Sequence, residues 1–171
     1  MEPQRLMLDR DAFLRWHCSN PLAEELREAY LHWLVLHALG LDPGTARADG
    51  IGSEQLLWFG DLSLALASAA YFQHPAQQDP SPISFKLTAL QADAQLLGLL
   101  EGSPPSTLEG LDLFDPDQWR FWVVPSRALH AERLSIGLNP LRRAQGDGVL
   151  LADLQTAVRR LAHDKPPVVT V

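Results

Sequence analysis

The sequence predicts an α/β domain in which a mixed central sheet is flanked by helices. Three observations predict it. A series of short segments between residues 55 and 138 shows two-residue alternation and aromatic enrichment, a helix framed by Asn20-Pro21 and Gly40 precedes them, and a helical apolar spacing follows from Leu150 to His163. No internal repeat or interdomain linker interrupts the chain, so residues 1–165 read as one domain and 166–171 as a loosely held C-terminal tail.

Taken in order, DRDAFLRWHC (Asp9 to Cys18) has the pattern of a short amphipathic helix. Asn20 is a good N-cap with Pro21 at the first helical position, and Leu26, Tyr30, Trp33, Leu34 and His37 or Ala38 follow at helical spacing up to Gly40. LDPGTARADGIGSE is rich in Gly, Pro and Asp and predicts a loop. QLLWF, LSLALASAAYFQ and ISFKL predict strands, although the alanines of the second run also suit a helix. Leu90 to Glu101 is ambiguous between helix and buried strand, with strand favoured in its second half. GSPPSTLEG predicts a surface loop, WRFWVVP a strand stopped by Pro125, LSIGL a short strand, and Leu150 to His163 a helix on Leu151, Leu154, Val158 and Leu161.

Composition narrows the class. A chain of 171 residues, 46% hydrophobic and 20% charged, has the profile of a globular protein with one sizeable core. Its apolar stretches are too short to span a bilayer, and the first residues, MEPQRLMLDRD, lack the apolar segment of a secretory signal. A single cysteine, Cys18, excludes an internal disulfide and suits a reducing cytoplasm. The net charge of −7 advertises no nucleic-acid protein, yet residues 118–163 carry seven arginines against Glu132, Asp147 and Asp153, a local charge of +4 against −11 for the rest. Lysine is scarce: only Lys86 and Lys165 are present, so chemistry requiring one has two candidates.

Generic catalytic patterns are missing. The chain has no Gly-rich phosphate loop, no paired-cysteine zinc pattern and no serine in a nucleophile-elbow context. His32 and His37 stand five apart on the expected helix, too far around it to share a metal, and His17 with Cys18 is read as a chance pair.

Four segments together resemble a bacterial branch of the PD-(D/E)XK restriction-endonuclease-like superfamily: AYLHWLVLHALG (29 to 40), LALASAAYFQ (64 to 73), ISFKL (83 to 87) and DPDQWRFWVVPSRALHAERLSIGLNPL (115 to 141). The family features matched here are a helix ending in Ala-Leu-Gly, Ser68 with Ala70-Tyr71-Phe72-Gln73, Asp93 in an apolar segment, the Trp119–Ser126 strand, Leu129, and Ser135-Ile136-Gly137-Leu138. The resemblance implies a restriction-endonuclease-like fold, and it implies where hydrolytic groups belong.

Magnesium binds proteins through one or two carboxylates, and hydrolysis of a phosphodiester also needs a lysine near the attacking water. The family's Glu-x-Lys puts both groups on one face of a strand. The matching positions here are Ala65 and Ala67, and His32 stands where a glutamate is often found. His32 points to natural decay of the site rather than deliberate replacement of Ala65 and Ala67. Possible remnants are Asp61, or Asp49 further upstream, as a metal-binding acid, Lys86 on the next strand, and Gln73 just past the family strand; the last also suits a strand cap.

Two readings follow. In the first, the protein is a catalytically inactive cytoplasmic nuclease fold, holding no metal, that binds DNA or a protein partner in defence or DNA processing. Arg120, Arg127, Arg133, Arg142 and Arg143 are then the candidates for phosphate contacts. In the second, it is a working Mg²⁺-dependent DNA endonuclease that uses Asp61 and Lys86 with further carboxylates. Trp119 and Phe121 alternate with Trp122 across the strand, which assigns most of this aromatic surface to the core.

Overall fold

The computed structural model describes residues 20–44, 56–87, 91–129 and 133–165. The expected Asp9 to Cys18 helix, most of the loop after Leu41 and the 166–171 tail lie outside the described residues. Helix α1 runs Glu24–Leu39, starting later than Asn20-Pro21 suggested. The Asn20 side chain accepts from Leu22 N at 3.1 Å and its carbonyl accepts from Ala23 N at 3.1 Å, so Asn20 closes a tight turn ahead of the helix instead of capping it. Glu24 and Glu25 occupy the first turn, where negative charge suits the helix dipole, and Gly40 ends the helix in a left-handed conformation (φ 68°).

The main sheet has the order β1-β2-β4-β5, formed by Leu57–Phe59 (β1), Leu62–Ala70 (β2), Ala94–Leu100 (β4) and Trp119–Pro125 (β5). It is mixed: β2 runs antiparallel to β1 and parallel to β4, and β4 runs antiparallel to β5. The alanine-rich run is therefore a strand, with a neighbour on each side. Within the ambiguous Leu90 to Glu101 segment, Ala94–Leu100 is a strand: all seven β4 residues are buried, as a central strand covered on both faces requires. A continuous apolar run erases the alternation that marks a strand in sequence.

A second, two-stranded antiparallel sheet pairs Ser84–Lys86 (β3) with Ser135–Gly137 (β6). It leads into a helix that the sequence reading did not anticipate, Leu138–Gln145 (α2). Only Leu138 and Leu141 of α2 are buried, and eight residues give too little periodicity to announce a helix. Helix α3, Leu151–His163, matches the expected span. Gly148, between α2 and α3, has φ 78°, and a Cβ there would stand 2.7 Å from Phe121 O and from Trp122 Cε2. The connection is thus pressed against β5, and Val149 exchanges backbone hydrogen bonds of 2.8 and 2.9 Å with Phe121.

Two apolar layers sandwich the main sheet. On one face Leu31, Leu34, Val35 and Leu39 of α1 and Leu154 and Val158 of α3 pack on Leu62, Leu64, Leu96, Trp119 and Phe121. Burying one such side chain contributes about 1.5–3 kcal/mol, against a few tenths for a surface pair along a helix, so this stripe fixes how α1 docks. On the other face Ile83, Phe85, Leu87, Ile136, Leu138 and Leu141 cover Ala67, Ala69, Leu97, Leu99, Trp122 and Val124. The aromatic strand divides as its alternation requires, with Trp119, Phe121 and Trp122 all buried. Among the described residues no helix is long and apolar enough to cross a membrane.

Candidate functional site

The positions that matter are set by β2. Even-numbered residues face α1: Ser68 accepts a hydrogen bond from Arg27 Nε at 3.1 Å. Alternation therefore turns Ala65, Ala67 and Ala69 to the opposite face, where their Cα partners on β4 are Gln95, Leu97 and Leu99. Ala65 is 1% and Ala67 6% exposed, and the layer of β3, β6 and α2 closes over Ala67 with Phe85 wholly buried. Two methyl groups and a buried Gln95 amide form a donor set that does not fit magnesium, which binds proteins through one or two carboxylates. Among the described residues, no three His, Cys, Asp or Glu side chains gather as a metal centre.

The other expected site residues do not converge on these alanines. His32 lies on α1, on the far side of the sheet, and its Nδ1 is 3.3 Å from the Glu28 carbonyl of the preceding turn. His37 likewise meets the Trp33 carbonyl at 3.0 Å, so the two histidines face separate partners. Asp61 is exposed in the β1–β2 turn, where its backbone carbonyl accepts from Lys165 Nζ at 2.6 Å. Lys86, 81% exposed in its side chain, lies 3.6 Å from Glu24 of α1. The start of α1 is held near Gln73, beyond the C-terminal end of β2, whereas Asp61 precedes that strand; nine residues of strand are about 30 Å long. Gln73 closes the strand end, accepting from Arg27 Nη1 at 2.8 Å and donating to the Ala70 carbonyl at 2.9 Å.

The five arginines divide as well. Arg120 donates twice to Glu101 Oε1, at 3.1 and 2.9 Å, and Arg142 Nη2 lies 3.7 Å from Glu101 Oε2. Glu101 is 6% exposed, so both cations serve a buried carboxylate. Arg143 is exposed next to Arg142 on α2, and Arg133 is exposed ahead of β6. Arg127 follows β5, at the opposite end of that strand from Arg120, about 20 Å away along an extended chain.

Three features were not foreseen. Arg27 is 3% exposed within the apolar stripe of α1 and also donates to the Leu22 carbonyl at 3.3 Å. Burial lowers its guanidinium pKa, an effect that Glu24, Glu28 and Glu25 counter. A signal existed: Arg27 sits four residues before Leu31, in phase with the stripe. Asp93 Oδ2 accepts from Ser63 N, Ser63 Oγ and Lys165 Nζ, each at 2.8 Å, tying the end of α3 to the start of β2 and β4. Partial burial raises the Asp93 carboxyl, but the hydrogen bonds from Lys165 and Ser63 and the Lys165 charge outweigh it and hold the pKa below the ordinary value of 3.8.

The third feature is an open cleft of about 490 Å³ between the β1–β2 turn and the end of α3. It is lined by Phe59, Asp61, Leu62, Arg159, His163 and Lys165. No protein-family model, curated protein or solved structure matches the chain.

Proposed function

We propose that this protein is a restriction-endonuclease-like protein of the cytoplasm that acts by binding rather than by hydrolysis, and that its partner is another protein. One observation carries the reading: the face of β2 that would present an acid and a lysine presents Ala65 and Ala67 instead, both buried and Ala67 beneath a closed apolar layer. The mixed four-stranded sheet flanked by helices is compatible with the scaffold that the sequence resembles. The separation of Asp61 from Lys86 gives no support to a relocated magnesium site.

A protein partner is favoured over DNA because the arginines do not form one patch and two of them are engaged by Glu101. Trp33, Trp58 and Phe114 are each about half exposed, and large aromatics of this kind are enriched in protein interfaces. The test is incubation of the purified chain with plasmid and single-stranded DNA in Mg²⁺ or Mn²⁺, followed by gel shifts at rising salt. Intact DNA and no shift even at low salt are expected. Metal-dependent nicking lost in Lys86→Ala overturns the binding reading; a shift that weakens steeply with salt replaces the protein partner with DNA.

A further inference from the structure

We propose that the cleft between the β1–β2 turn and the C-terminal end of α3 binds a small zwitterion of the amino-acid class that carries an apolar or aromatic group. At about 490 Å³ the space is of the size that small-molecule sites occupy. Phe59, only partly buried, supplies an apolar wall, with the buried Leu62 behind it. Arg159 and His163, four residues apart, share one face of α3, and Asp61 lines the same cleft from the β1–β2 turn.

The charges across the cleft carry the inference. Among the described residues Arg159 makes no ion pair, with Asp61 or with any other acid, although both line one cleft. Lys165, by contrast, is held by Asp93 at 2.8 Å and by the Asp61 carbonyl at 2.6 Å, so it forms a fixed end wall rather than a free cation. A cation from α3 and an anion from the β1–β2 turn that line one cleft without pairing with each other complement a ligand that carries the opposite pair. Arg159, with its planar fork of donors, takes a carboxylate, Asp61 takes an ammonium group, and the side chain lies on Phe59. The bland role of Arg159, offsetting the dipole at the end of α3, requires no such ligand.

Three probes separate these roles: L-phenylalanine, 3-phenylpropionate, which lacks the ammonium group, and 2-phenylethylamine, which lacks the carboxylate. They are titrated by NMR or calorimetry into the full chain and into Arg159→Gln and Asp61→Asn. L-phenylalanine is expected to bind saturably and at least about fivefold more tightly than either analogue, the equivalent of roughly one ordinary hydrogen bond. Arg159→Gln should remove the advantage over the amine, and Asp61→Asn the advantage over the carboxylate. Both side chains are exposed, so unchanged melting temperatures serve as the folding control. Absence of saturable binding, equal affinity for the three probes, or variants that shift only the melting temperature would each overturn the proposal.

Discussion

Gly98 of β4 lies directly beneath Leu31 of α1: a Cβ at Gly98 would stand 2.5 Å from Leu31 Cδ1, and 3.3 Å from Leu31 Cδ2 and Trp119 Cζ3. Leu31 is 1% exposed and Trp119 is wholly buried, so neither has room to withdraw. Gly98→Ala is expected to cost about 1–3 kcal/mol through overpacking, measured by urea denaturation with an unchanged m-value. A neutral effect would mean that α1 rides more loosely on the sheet than the packing implies.

Charge placed on the closed face of β2 should unfold the protein. Ala67→Lys, and Ala65→Glu with Ala67→Lys, bury ionised groups where only methyl groups fit. Each is expected to lose about 3 kcal/mol or more of stability, readable as a large fall in melting temperature. A well-folded double variant that nicks plasmid with Mg²⁺ would show that this face opens to solvent.

Arg27 holds the start of α1 to the end of β2 through Ser68 and Gln73. Arg27→Ala leaves both acceptors and the Leu22 carbonyl without that donor, at a cost of about 2–3 kcal/mol. Arg27→Lys should fall between the variant and the parent, because an ammonium group cannot reproduce the planar fork. Thermal melts of the two variants, compared with Gln73→Ala, measure the cluster.

Asp93 makes stability pH-dependent in a defined direction. Its folded pKa is depressed, so the contribution is fully present above its ordinary value of 3.8 and is lost as the pH falls through the lower folded value. Lys165→Met should cost about 1 kcal/mol at neutral pH and flatten the acid limb of the stability profile. An acid limb identical to that of the parent would place the pH sensitivity elsewhere.

The sequence by itself determined the strands and helices whose periodicity is local and strong. WRFWVVP is β5 to the residue, its alternation already placing Trp119 and Phe121 opposite Trp122, and Leu151, Leu154 and Val158 sufficed for α3. Ala65 and Ala67 are legible in the sequence as small apolar side chains, and the structure buries both. Tertiary structure decided the rest. β4 is a strand because both its faces are covered, α2 is a helix because Leu138 and Leu141 find a sheet to rest on, and Asn20 turns where it had the look of a cap. It also set the company each charge keeps. Arg120 and Arg142 meet at Glu101, Lys165 reaches Asp93 across 72 residues of chain, and Asp61 faces the end of α3 instead of Lys86. Secondary structure follows from interactions a few residues long, which a single sequence records. A site is made where distant segments meet, and that meeting is fixed by which apolar faces pack together.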